Sequence, residues 1–137
     1  MRSYVDIFFQ DPSEVPLPPE EMRIRELRAQ VWPDGTRVRV YLEVDPFQRH
    51  PSADLVISDP AGLEVTDASI VESMTRKMEI TMHLRHAQPG GMYTLRATLF
   101  YLPPPPEGEP PDPSQRQVVD AREISFERLA GEPPNVA

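Results

Sequence analysis

Apolar and polar positions alternate along much of this chain. From Arg37 to Asp45, Val38, Val40, Leu42 and Val44 interleave with Arg37, Arg39, Tyr41 and Glu43. Successive side chains of a strand point to opposite faces, so this run predicts a β-strand with one face in a core and one in water. Met78, Ile80, Met82 and Leu84 alternate with Glu79, Thr81, His83 and Arg85, and Tyr93, Leu95, Ala97, Leu99 and Tyr101 alternate with Met92, Thr94, Arg96, Thr98 and Phe100. Shorter runs cover Asp54 to Ser58, Leu63 to Val71 and Gln117 to Phe126. The last changes phase between Val119 and Ile124, as a β-bulge would make it do.

Turn residues divide the runs. Pro33-Asp34-Gly35 reads as a tight hairpin, Asp59-Pro60-Ala61-Gly62 as a type I turn, and Gln88-Pro89-Gly90-Gly91 as a break before the next strand. Residues 20–31 admit two readings. Pro18-Pro19-Glu20-Glu21 resembles a helix start, with Ile24, Leu27 and Val31 at helical spacing. Met22-Ile24 and Leu27-Ala29-Val31 are also two alternating runs offset by one residue, which is a bulged strand. The strand is preferred, because the segment runs straight into a hairpin turn. Seven strands result: β1 22–32, β2 36–45, β3 53–58, β4 63–72, β5 77–85, β6 92–101 and β7 117–127. Short strands at regular spacing, with no long helical pattern, predict two antiparallel sheets face to face. The expected core is Val38, Val40, Leu42, Ile57, Ile80, Met82, Leu84, Tyr93, Leu95 and Leu99.

Two stretches give this body a family likeness. Ala53-Asp-Leu-Val-Ile-Ser-Asp-Pro-Ala-Gly-Leu-Glu-Val65 resembles the strand–turn–strand of bacterial immunoglobulin-like and fibronectin-type-III-like sandwiches. Pro89-Gly-Gly-Met-Tyr-Thr-Leu-Arg-Ala97 is similar to their entry into the sixth strand. The resemblance covers residues 22–127 and implies an all-β, seven-stranded antiparallel immunoglobulin-like sandwich. It also implies that Tyr93 bonds through its hydroxyl to backbone upstream, as in a tyrosine corner. The cysteine pair and third-strand tryptophan of antibody domains are absent from the sequence. Such sandwiches host many functions, so the likeness implies no activity.

Composition changes the picture at the ends. Proline accounts for 18 of 137 residues, and 13 of them fall in Pro12–Pro19, Pro103–Pro113 and Pro133-Pro134. The net charge of −8 is distributed the same way. Residues 1–21 carry five acids and one base, residues 102–114 carry Glu107, Glu109 and Asp112 with no base, and residues 22–101 balance ten against ten. The expected organisation is therefore an N-terminal arm (1–21) with an apolar strand at 3–9, a sandwich (22–127) and a C-terminal tail (128–137). The Pro-rich loop 102–114 joins the sixth and seventh strands, the F–G loop of such sandwiches, and is expected to be extended and exposed.

Candidate chemistry is sparse. With no cysteine there is no thiolate site or disulfide. His50 and His86 fall in loops at opposite ends of the expected sandwich, which argues against a shared zinc. Asp54, Asp59 and Asp67 lack the dense loop of a calcium site, and no serine sits in a nucleophile-elbow context. The expectation is a non-enzyme with no catalytic residues, metal or cofactor. An acidic chain argues against nucleic acid and anionic lipid as partners. No apolar run is long enough to span a membrane, and the N-terminus lacks a secretory pattern, so the cytoplasm is the expected location.

The leading functional expectation is a protein-interaction or assembly module, with another protein or a second copy as partner. A carbohydrate- or small-ligand-binding sandwich is the alternative, for which Trp32, Tyr41, Phe47 and Phe100 are the aromatic candidates. In Ser3–Phe9, Val5, Ile7 and Phe9 lie on one face of the expected strand and Tyr4 and Phe8 on the other, so the segment is apolar on both faces and needs cover. The β2–β3, β4–β5 and β6–β7 loops should share one end of the sandwich with the arm. That end supplies the remaining partner-binding candidates: Phe47, Arg49, His50, Arg76 and Lys77. The acids of the Pro-rich loop are expected to latch onto Arg49 and Arg76.

Overall fold

A computed structural model of the chain describes residues 15–84, 90–110 and 112–128. Among these residues seven antiparallel strands form two sheets: β1 (Ile24–Val31), β2 (Arg37–Val44), β3 (Ser52–Ser58), β4 (Glu64–Ile70), β5 (Lys77–His83), β6 (Met92–Tyr101) and β7 (Gln117–Glu127). One sheet has the order β1-β2-β5 and the other β4-β3-β6-β7, and the fold is an all-β sandwich. The fourth strand pairs with the third because their turn leaves no room to cross. Gly62 N–H donates to the Asp59 carbonyl at 2.8 Å, and the Asp59 carboxylate accepts from Ala61 and Leu63 N–H, each at 2.9 Å.

The core lies between the sheets. Nine of the ten expected residues are buried; Ile80 is half-buried and packs on the rim. Of the two readings of residues 20–31, the bulged strand is the one that forms. The proline–glutamate segment makes one 3₁₀ turn, Pro19–Glu21, and then gives way to strand. Ile24 pairs with Val44 and Glu26 with Glu43, so Arg25 is an extra residue. That bulge lets Ile24 and Leu27 both face the core; the three-residue spacing that mimics a helix is a phase change in a strand. Val119 is the extra residue in β7, between the pairs Leu99–Asp120 and Phe100–Val118.

Where β1 meets β7, polar side chains join the sheets. Ile24 N–H donates to the Asp120 carboxylate at 2.8 Å, and Arg122 donates to the Ile24 carbonyl at 2.7 Å. At the end holding the β1–β2 hairpin, Arg128 is only 5% exposed. Its Nε donates to the Gly35 carbonyl at 2.7 Å and its Nη1 to the Tyr93 hydroxyl at 3.0 Å. Tyr93 is fully buried and its ring stacks on Phe126, with centroids 6.0 Å apart. Among the described residues no helix is long and apolar enough to cross a membrane.

Candidate functional site

Three connections and the arm meet at the opposite end, as the strand order requires. The arm is pinned first: Leu17 bridges Phe47 in parallel, with Leu17 N–H donating to the Pro46 carbonyl at 2.9 Å and Gln48 N–H to the Leu17 carbonyl at 3.0 Å. Ser73 in the β4–β5 connection donates its N–H to the Pro51 carbonyl at 2.8 Å. The preceding residue, Glu72, adopts φ 46°, in the left-handed region non-glycine residues avoid. Its N–H is held by the Ser52 hydroxyl at 2.9 Å, which offsets part of that strain.

Arg49 roots the Pro-rich loop. Its carbonyl accepts from the Tyr101 hydroxyl at 3.1 Å, its guanidinium lies 5.4 Å from the Tyr101 ring centroid, and that guanidinium donates to the Leu102 carbonyl. Burial pushes the Tyr101 phenol above its ordinary value, with the Arg49 charge pulling the other way. Beyond this root Pro103 to Pro110 are exposed. The tip turns where Glu109 N–H donates to the Pro106 carbonyl at 2.9 Å; Gly108, at φ 83°, supplies the positive dihedral a type II turn needs at its third position. On the return, Asp112 accepts from the Ser114 hydroxyl at 2.7 Å and its N–H at 3.0 Å. Those hydrogen bonds, the hydroxyl's first, hold the Asp112 carboxyl below the usual carboxylate range. The loop is thus exposed at the surface, turns at Gly108 and is tied to the body at its first root by Arg49 and Tyr101.

Phe47, Arg49 and His50 come together at this end. The Phe47 and His50 rings meet edge to face at 5.4 Å, and His50 Nδ1 lies 2.9 Å from the Ser73 carbonyl, which makes Nδ1 the protonated nitrogen. Arg76 and Lys77 belong to a different neighbourhood: Arg76 pairs with Glu43 at 3.1 Å, and Lys77 lies opposite Glu43 in register. The expected latch therefore takes another form, since Arg49 holds the loop through a main-chain carbonyl and Arg76 engages the carboxylate of a strand residue. Val5, Ile7 and Phe9 lie outside the described residues.

Sequence reasoning missed a cleft of about 350 Å³ beside the loop root, lined by Ser52, Asp54, Ser69, Val71, Phe100, Leu102 and Arg116. The Arg116 guanidinium lies 4.8 Å from the Phe100 ring centroid and pairs with Asp54, which also accepts from the Ser69 hydroxyl at 2.8 Å. Phe100 is in consequence 7% exposed, although it belongs to the solvent face of its strand. The register that places Ser52 opposite Phe100 was the signal, and it is not available before the strands are paired. Among the described residues no three histidine or acidic side chains converge as a metal site would require.

No protein-family model matches the chain, and comparison with curated proteins finds no match. Solved structures do align. A glycosyl hydrolase family 2 member from Bacteroides cellulosilyticus aligns over 77% of this chain and 15% of its own, with 12% identity and a TM-score of 0.47. The β-glucuronidase of Bifidobacterium dentium aligns over 79% of this chain and 18% of its own, at 17% identity and a TM-score of 0.49. That of Ruminococcus gnavus aligns over 80% and 16%, at 15% identity and a TM-score of 0.45. The chain spans less than a fifth of each of these proteins.

Proposed function

We propose that the chain is a non-catalytic interaction or assembly module of the immunoglobulin-like type, working through the end that gathers the β2–β3, β4–β5 and β6–β7 loops. One observation carries this reading. The loop of residues 102–116 is far longer than a hairpin needs, displays an exposed proline run, and is nevertheless fastened by Arg49 and Tyr101 at one root and by Arg116 on Asp54 at the other. Long loops in compact domains tend to be functional or disordered. Anchored polyproline is pre-organised for docking, since little chain entropy is left to lose. The protein is proposed to act in the cytoplasm, with the apolar segment 3–9 as a second adhesive element.

A carbohydrate-binding face needs open aromatic platforms. Trp32 lies under Arg37 at 4.2 Å, Tyr41 under Arg28 at 4.4 Å and Phe100 under Arg116 at 4.8 Å, so each ring carries a guanidinium over one face and the three do not form a bare aromatic platform for a sugar. The experiment compares three proteins in quantitative crosslinking: the intact chain, one with residues 103–113 replaced by a glycine–serine turn, and one lacking residues 1–21. A partner captured by the first and lost from the second, with the second still folded, supports the reading. A partner retained by the second and lost from the third moves the site to the arm.

A further inference from the structure

The outer face of the β1-β2-β5 sheet is basic in its hairpin half, on a chain whose net charge is −8, while its other half mixes Arg28 and Lys77 with Glu26, Glu43 and Glu79. Register sets its rows: Arg28, Tyr41 and Glu79; then Gln30, Arg39 and Thr81; then Trp32, Arg37 and His83 at the hairpin end. Arg28 pairs with Glu26 at 2.7 Å, with the arginine side chain 63% and the glutamate 43% exposed, so that surface pair contributes little. Arg37 and Arg39 form no ion pair with a described residue; their guanidinium groups lie 4.2 and 6.0 Å from the Trp32 ring centroid. Glu26, Glu43 and Glu79 are the acids at the Tyr41 end, where Glu43 accepts from the Tyr41 hydroxyl at 3.4 Å, and Asp34 is the acid at the Trp32 end. Two adjoining clefts, of about 350 and 240 Å³, share Gln30 and Arg39 and run from Tyr41 to Trp32. Ring edges and guanidinium planes wall this groove.

We infer that this groove receives the acidic, proline-rich β6–β7 loop of a second copy of the chain. The inference rests on the proposed role of that loop and adds its partner. Extended proline segments are recognised by aromatic-lined grooves, because the polyproline helix is preformed and its rings pack flat. Here the walls are Trp32 and Tyr41, and the loop brings Glu107, Glu109 and Asp112 with no base among them. The carboxylates match Arg28, Arg37 and Arg39. Contact within one chain is excluded by placement: the loop leaves one end of the sandwich, and Trp32 and Arg37 lie at the other, about 25 Å away for an eight-residue strand. The contact is therefore head-to-tail, and copies add in open chains or rings rather than closing as a two-fold dimer.

Trp32 is the sole tryptophan and reports directly on the groove. A synthetic peptide of residues 102–115 is titrated into the full chain while tryptophan emission is read. The expected result is a saturable shift that weakens several-fold between low and high salt. Binding should fall at least tenfold in Arg37→Glu/Arg39→Glu, with Arg37→Gln/Arg39→Gln as a milder second pair and circular dichroism to show that each is folded. In sedimentation, the Arg37→Gln/Arg39→Gln chain and a Glu107→Gln/Glu109→Gln chain should each associate less than the parent when alone and form one-to-one dimers when mixed, because only one intact groove and one intact loop then remain. Unchanged emission at millimolar peptide, or undiminished binding by the folded arginine variants, overturns the inference. If the peptide fails while loop replacement still removes a foreign partner, the loop keeps its proposed role and the second copy is excluded. If loop replacement changes no interaction, the proposed function itself falls.

Discussion

Arg128 should hold the two sheets together at the hairpin end, and replacing it with methionine isolates that contribution. Arg128→Met keeps an unbranched stem of similar length and removes every donor. The Gly35 carbonyl and the Tyr93 hydroxyl, both on buried residues, then lose the bonds they accept at 2.7 and 3.0 Å. Hydrogen bonds to a charged donor contribute about 1.5–3 kcal/mol each. Two give about 3–6 kcal/mol, offset because the variant no longer desolvates a guanidinium. The net loss should be about 2–4 kcal/mol. Tyr93→Phe removes one acceptor and should cost about 1–1.5 kcal/mol. For a body of this size each kcal/mol moves the Tm by roughly 4 °C or more, so Arg128→Met should melt about 10 °C lower. Urea unfolding of the parent, both single variants and the double variant completes a cycle, and the coupling should exceed about 0.5 kcal/mol. Replacing a buried ion with an apolar isostere is sometimes neutral. An Arg128→Met protein as stable as the parent, or an additive cycle, would refute the reasoning.

Three further outcomes follow from other sites. Asp120→Ala frees the Ile24 N–H at the β1–β7 seam and should cost about 1–3 kcal/mol by urea unfolding. Gly91→Ala combines φ 94° with a Cβ 2.7 Å from Pro60 Cγ, whereas Gly62→Ala, at φ 90°, meets nothing within 4 Å, so Gly91→Ala should lower the Tm clearly more. Tyr101 is a phenol whose folded pKa lies above the ordinary 10.0, so the unfolded chain ionises first. Its contribution is complete below the unfolded value and is lost as pH rises through the folded one; ultraviolet titration should show a late-ionising step that Tyr101→Phe removes.

Much of the framework was legible in the residues. β2, β5 and β6 alternate cleanly because one face of each is dry, and proline and glycine turns limit where strands can end. Residues 20–31 were ambiguous for a physical reason: one inserted residue, Arg25, converts period two into an apparent helical spacing. The working end could be placed because antiparallel order alone fixes which loops are neighbours. What touches what at that end could not. Arg116 reaching Phe100 and Asp54, and Arg28 lying over Tyr41, depend on cross-strand register, which alternation along a single strand does not encode. Arg128 is the sharper case. Directly after β7 it reads as the first residue of a solvated tail, yet its guanidinium is enclosed by the hairpin and by Tyr93.

That the Pro-rich loop serves binding and not the fold is tested most directly by urea unfolding of the chain with residues 103–113 replaced by a short glycine–serine turn, alongside its capture of partner. Arg49, Tyr101 and Arg116 are retained, so the roots stay tied. Halving a flexible loop lowers its closure cost by about 0.6 kcal/mol, so the variant should be as stable as the parent or slightly more so. Its partner binding should be gone. A loss of stability beyond about 2 kcal/mol would show that the loop packs as part of the fold, and intact binding would show that the sandwich meets its partner elsewhere.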